Sequence, residues 1–280
     1  MLLPPVEYVR PSSLADALAV LEADEGARAL AGGQTLINVM KARAAAPDVL
    51  VDLAGLEELR TILRGADGAL ELGAMATYTQ LVLSPEVNES HPVVAEVAET
   101  IADVQVRNRG TIGGNVCSSD PTNHFLPLMV ALEARMTIAG AGGERTVSAE
   151  EFFLGVYMTA VGPGELLTRI TLPGGRSAGF SAVTLGADGT CIVNAAAGLN
   201  GGAPRIAIGC VDAIPVRAGE MERRLGGGEL GEEAVREAAR GLGAGLDPPS
   251  DVHASAEYRR HLAELCAARA VLQAAERRRG

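Results

Sequence analysis

Apolar and polar positions divide the chain into three blocks. The first runs from Met1 to about Ala54. Ser12 or Ser13 precedes apolar positions at Leu14, Ala17, Leu18 and Leu21, which predicts a capped helix. A strand is expected over 27–31, leading into Gly32-Gly33-Gln34-Thr35. A helix follows from near Leu36 to about Ala44, Pro47 stops it, and 49–53 reads as a strand. The block is thus a β-loop-α-β unit.

The second block spans about Leu56 to Pro173. Alternation over 69–74 predicts a strand, and Thr77 caps a helix through Leu81. Val93, Val94, Val97 and Ile101 mark a helical segment over 92–102, followed by a glycine-rich loop over 109–115. A helix over 126–134 and strands over 136–139 and 166–172 complete it. In the third block, from about Arg176 to Gly280, strands over 191–199 and 205–211 form a hairpin through Asn200-Gly201-Gly202. Helices are expected around 217–225, 231–242 and 255–278. Strands followed by helices imply α+β packing.

Composition narrows the classes. With 280 residues, 48% hydrophobic and 21% charged, the chain is globular, and its length suits about two domains. A net charge of −11 argues against nucleic acid and anionic membrane surfaces, both of which attract basic faces. No apolar run approaches the roughly 18 residues of a membrane span, and the first residues predict no secretory signal. Cys117, Cys191, Cys210 and Cys266 are scattered without a Cys-x-x-Cys pair, so no metal or iron–sulfur site is expected on this chain. Reduced thiols in the cytoplasm are the expected state.

Two loops carry candidate chemistry: Ala31-Gly32-Gly33-Gln34-Thr35 and Thr111-Ile112-Gly113-Gly114-Asn115. Glycines let a backbone turn tightly and expose successive amides, which cradle phosphate without a positive side chain. The first loop also precedes a helix start, which favours an anion. Either pair alone also reads as an ordinary turn. Neither matches Gly-x-Gly-x-x-Gly or Gly-Lys-Ser/Thr, which argues against a Rossmann dinucleotide domain or a P-loop. No nucleophile–base pair or carboxylate dyad points to hydrolysis, and no catalytic residue is assigned.

The combination is more specific. The first loop continues into Leu36 and later Pro47-Asp48-Val49-Leu50-Val51-Asp52-Leu53. Then come Val104-Gln105-Val106-Arg107-Asn108-Arg109-Gly110-Thr111-Ile112-Gly113-Gly114-Asn115, Ser119-Asp120-Pro121 and Leu126-Pro127. Together these resemble the FAD-binding medium subunit of the molybdenum hydroxylases, the carbon monoxide and xanthine dehydrogenase type. A looser likeness continues through Ile208-Gly209, Pro215-Val216-Arg217-Ala218 and Glu220.

The resemblance implies an α+β fold. A two-subdomain FAD-binding domain of the PCMH type over 1–175 (subdomains about 1–54 and 56–173) would precede a C-terminal α+β domain over 176–280. It implies that Ala31, Gly32, Gly33, Gln34, Thr35 and Leu36, with Thr111, Gly113 and Gly114, bind the FAD pyrophosphate region. Asn115 and Ser118 fall where relatives bond the flavin's phosphate or ribityl region, and Asp120 matches the family's Asp-Pro element. His124 falls near the ribose or ribityl chain, and a backbone amide at Leu166 or Leu167 lies toward the isoalloxazine ring. His124 stands where relatives often carry an acidic residue, and no lysine follows Gly179-Phe180, since Lys41 is the chain's one lysine. The implied role is electron transfer from [2Fe–2S] clusters on a small subunit to an external acceptor. A large subunit would hold a molybdenum–pterin cofactor, in a dimer of heterotrimers. A free-standing FAD oxidoreductase and a non-catalytic FAD or phosphate-binding module remain the alternatives.

Of the remaining residues, His91 reads as a surface turn, and His253 and His261 as solvated. Cys117 reads as a small buried residue or a neighbour of the cofactor, and Tyr157 as a core aromatic or, less readily, a cover over a ring face. Arg107 and Arg109 suit an ion pair with Asp103 or Glu99, a role in steadying the loop, or contact with a partner. Arg277-Arg278-Arg279 reads as a solvated tail.

Overall fold

The computed structural model describes residues 3–175, 177–186, 189–200, 203–226 and 228–279. The Gly201-Gly202 turn and the first two residues, on which the signal reading partly rests, lie outside them.

Strand β1 (Glu7–Val9) leads into α1 (Leu14–Ala23). The Ser13 hydroxyl accepts from the Asp16 amide, a cap of about 1 kcal/mol. Then come β2 (Ala27–Leu30), α2 (Leu36–Lys41) and β3 (Val49–Asp52). β3 lies between β1 and β2, parallel to both. The carboxyl ends of such strands open toward one edge, where open parallel sheets place ligands. Helix α2 ends short of the expected Ala44. Arg43 turns left-handed (φ 62°), and the Ala44 amide bonds back to the Val39 carbonyl, a helix-terminating turn.

The second block contains β4 (Ile62–Arg64), β5 (Leu70–Gly73), α3 (Tyr78–Leu83), α4 (Pro85–Ser90), α5 (Pro92–Glu99), α6 (Val104–Arg107), α7 (Ile112–Ser118) and α8 (Phe125–Ala131). It continues with β6 (Arg135–Gly140), β7 (Gly143–Ser148), α9 (Ala149–Phe152), the short β8 (Phe153–Gly155) and β9 (Met158–Thr159), and β10 (Leu166–Leu172). An antiparallel sheet runs in the order β4-β5-β10-β6-β7. Thr77 and Gln80 form a reciprocal capping box at the start of α3.

The third block is an antiparallel meander, β11 (Ser177–Leu185), β12 (Thr190–Leu199), β13 (Arg205–Gly209) and β14 (Val216–Arg217). Helices α10 (Gly219–Leu225), α11 (Glu232–Ala239) and α12 (Ala256–Arg279) follow. Among the described residues, no helix is long and apolar enough to cross a membrane.

Three cores hold these layers together. One joins α1 and the parallel sheet, but Leu56, Leu59, Met75 and Leu166 enter it from the second block. The largest packs Phe125, Leu128 and Met129 of α8 with β5, β6 and β10. Ala178, Ala196 and Ala207 of the meander also belong to it. The third lies between the meander and α10–α12, and takes in Ala195 and Ala197. Successive alanines of β12 therefore face different cores, so the meander is covered on both sides. Leu166 and Leu167 divide likewise, so β10 is shared by the first two cores.

Two surface expectations are corrected. His91 is only 2% exposed, with Nε2 3.0 Å from the Pro173 carbonyl oxygen. The chain leaving β10 passes over it, a contact no local pattern encodes. Arg277 is not a free tail residue. It pairs with Glu96 on α5 and donates to the Ala178 carbonyl at 2.6 Å, tying α12 to the second block. His253 and His261 are exposed, as the sequence implies.

Candidate functional site

The first glycine loop leaves the carboxyl end of β2 and enters α2. None of the backbone amides of Gly32, Gly33, Gln34, Thr35 and Leu36 makes a hydrogen bond among the described residues. Gly33 adopts φ +73°, which a side chain disfavours. The Gln34 side chain donates to the Gly32 carbonyl at 3.3 Å, and Asn38 donates to the Gln34 carbonyl at 2.7 Å. These bonds hold the carbonyls and leave the amides available. Ala31 to Gln34 and Leu36 are partly exposed, and Thr35 is exposed.

The second loop differs from expectation. Its backbone becomes helical at Ile112, so Gly113 and Gly114 lie in the first turn of α7. Thr111 is the N-cap and accepts from the Gly114 amide at 3.0 Å. The Ile112 and Gly113 amides donate to the carbonyls of Ala76 and Ala74 at 3.0 and 2.9 Å. The second loop has thus largely used its donors, and the free ones belong to the first.

The two loops touch. A Cβ at Gly32 would lie 2.1 Å from the Arg109 carbonyl oxygen, and one at Gly114 3.7 Å from the Ala31 Cβ. Only a residue without a side chain permits the first approach.

Within α7, Asn115 is buried and donates through Nδ2 to the Tyr78 hydroxyl at 3.0 Å. Burial pushes that phenol up to about 12. Asn115 Oδ1 and His124 Nε2 are both buried without a hydrogen-bond partner. His124 sits edge-on to Phe180 of β11, with centroids 5.4 Å apart, and burial lowers its pKa to about 4. Its imidazole is therefore neutral at pH 7. Ser118 donates to the Asn115 carbonyl at 2.7 Å. Asp120 holds its own turn by accepting from the Thr122 amide and hydroxyl at 2.9 and 2.7 Å. Leu166 and Leu167 bury their side chains in separate cores, and both pair with β6, opposite Ala139 and Ile138.

Tyr157 is not a core residue. It is 64% exposed at the tip between β8 and β9, where its hydroxyl lies 3.3 Å from Asp120 and its amide 3.1 Å from the Ser119 carbonyl. Arg107 makes no ion pair with Asp103 or Glu99. It donates to the carbonyls of Ile101 and Ala102 at 3.1 and 2.7 Å, while Asp103 caps α6. Arg109 is exposed and contributes its backbone to the loop contact. Cys117 is half-buried, and loss of solvation pushes its thiol up to about 12. Sequence reasoning missed Asn123, which bonds Asn115 and Ser118. Asn between Asp120 and His124 was the available signal.

This arrangement is a two-part fold, with a small parallel sheet and an antiparallel layer meeting at paired glycine loops. A family model described as the FAD binding domain in molybdopterin dehydrogenase matches residues 4–175. A second, the CO dehydrogenase flavoprotein C-terminal domain, matches residues 181–274. The carbon monoxide dehydrogenase medium chain of Afipia carboxidovorans is 37% identical over 97% of this chain and 97% of its own. The structure of quinoline 2-oxidoreductase from Pseudomonas putida superposes with a TM-score of 0.93 at 35% identity, covering 99% of each chain. Carbon monoxide dehydrogenase from Hydrogenophaga pseudoflava does so with the same score, identity and coverage. The chain belongs to the FAD-binding medium subunits of the carbon monoxide and xanthine dehydrogenase type molybdenum hydroxylases. It is an FAD-binding oxidoreductase subunit, and its α+β fold agrees with the sequence reading.

The residues fit the cofactor. Five free amides in succession suit a pyrophosphate, which carries acceptors and negative charge. Asn115, next to the second glycine pair in α7, and His124, at the start of α8, each add an orphaned polar atom.

Proposed function

We propose that this chain is the electron-transfer subunit of a molybdenum hydroxylase complex. Bound FAD would supply the redox chemistry, taking electrons from [2Fe–2S] clusters on a small subunit and passing them to an external acceptor. The large subunit would hold the molybdenum–pterin cofactor and choose the substrate. The assembly would be a dimer of heterotrimers in the cytoplasm. Residues 1–175 would form the FAD-binding domain, with subdomains about 1–54 and 56–173, and 176–280 the C-terminal domain.

The observation that carries this reading is the row of free amides from Gly32 to Leu36, set against the second glycine loop by the Gly32–Arg109 contact. In this assignment the amides bind the pyrophosphate, with Ala31, Thr111, Gly113 and Gly114 shaping the groove. Asn115, Ser118, Asp120 and His124 flank the ribityl chain. His124, neutral and packed on Phe180, offers one hydrogen bond and no charge. The Leu166–Leu167 backbone meets the ring.

The test is the absorption spectrum of the purified chain after FAD addition and desalting, and of the chain copurified with its partners. Retained bands near about 370 and 450 nm that bleach on reduction are expected. Copurification of chains carrying molybdenum and iron–sulfur centres supports the wider assignment. Flavin retained by neither preparation overturns it.

A further inference from the structure

Helix α7 carries the second glycine pair, yet it is only seven residues long and contains two glycines. A helix so short has little stability of its own, and each glycine lowers it by about 1 kcal/mol. Its placement therefore depends on what holds its ends. Thr111 caps the start. At the other end Ser119 turns left-handed (φ 44°), and the last carbonyls need partners.

Asn123 supplies one. Its Nδ2 donates to the Asn115 carbonyl at 3.1 Å and to the Ser118 hydroxyl at 2.9 Å. Its own amide donates to the Asp120 carbonyl at 2.9 Å, which fixes the turn. Its carbonyl in turn accepts from Nδ2 of Asn194, at 3.4 Å. Asn194 is fully buried on β12 of the third block. Asn123 thus bonds both the end of α7 and the meander that packs behind it.

We propose that Asn123 is a positioning residue for the flavin site, holding α7 in place and coupling it to the C-terminal meander through Asn194. The inference rests on the FAD reading above. Asn123 does not itself contact the cofactor in this assignment; it acts through Asn115 and Ser118. A change in the meander, such as one caused by a docking subunit, would then reach the flavin site through this bond.

The test uses the full chain, copurified with its partners if these are needed for flavin retention. FAD affinity, the visible circular dichroism of bound flavin and the flavin midpoint potential are measured for Asn123→Ala, Asn123→Asp and Asn194→Ala. Loss of two hydrogen bonds predicts an about tenfold rise in Kd for Asn123→Ala. Asn123→Asp, of nearly the same shape but without the donor, is expected to behave alike. Asn194→Ala should shift affinity in the same direction by less. All three should alter the flavin dichroism, which a purely structural role elsewhere would not move. If Asn123→Ala fails to fold, Asn123→Asp decides. Wild-type affinity and spectra in the folded variants overturn the proposal. Wild-type protein that holds no flavin, alone or in complex, instead overturns the reading beneath it.

Discussion

Gly32 packs directly on the backbone of Arg109: a Cβ at Gly32 would come within 2.1 Å of the Arg109 carbonyl oxygen and 2.9 Å of the Gly110 Cα. Neither atom belongs to a flexible side-chain end. Gly32→Ala must therefore push the two loops apart, and overpacking of this kind costs about 1–3 kcal/mol. The expected outcome is a folded protein with FAD affinity reduced at least about tenfold, since one groove wall has moved. Flavin content after desalting, with urea unfolding alongside, checks both halves.

Gly33→Asp and Gly114→Asp are each expected to abolish FAD retention. The first forces a side chain onto φ +73° and sets a carboxylate among the free amides. The second places one at the start of α7, 3.7 Å from Ala31 at the Cβ. Flavin occupancy equal to wild type in either folded variant removes the loop assignment.

His124 makes stability depend on pH. Its folded pKa, about 4, lies below the ordinary 6.5 because burial disfavours the charged ring. Between those values the unfolded chain binds more protons, so stability falls as the pH drops from 6.5 toward 4 and levels off below. The loss is about 3 kcal/mol at most. Urea unfolding of wild type and His124→Gln across this range should show a stability difference that shrinks or reverses on acidification. A pH-independent difference rules out the buried neutral ring.

Arg277→Ala should loosen the junction between α12 and α5 only modestly. Glu96 is about half exposed, and ion pairs in solvent contribute about 1 kcal/mol or less. The bond to the Ala178 carbonyl adds to this. A small drop in thermal midpoint, partly reproduced by Glu96→Gln, is the expected result.

Much of the fold was legible because its determinants are local. Ser13 and Thr77 cap the helices they precede, and the alternation over Leu70–Gly73 and Leu166–Leu172 yields strands. β1, β4, β7 and β11 escaped notice because their apolar pattern is short or interrupted by polar residues. The helical start at Ile112 was hidden by its two glycines, which discourage a helix until Thr111 caps it and α8 packs beside it.

Residue chemistry was equally legible where it depends on type and neighbours: two glycine loops and a family likeness spanning nearly the whole chain. Contacts between distant segments were not. The burial of His91 under Pro173, the exposure of Tyr157 beside Asp120 and the bond from Asn194 to Asn123 each join segments that carry no mutual signal.

The sequence by itself determined most of the elements and the two glycine loops, because backbone preference, capping and glycine spacing act over a few residues, and the family resemblance of the combined motifs implied the class of cofactor. Tertiary structure alone decided that the first loop keeps its amides free while the second uses its own. It also decided that the loops meet at Gly32 and Arg109, and that the C-terminal meander reaches α7. The physical reason is that these outcomes follow from how three cores, sharing strands β10 and β12, pack against one another.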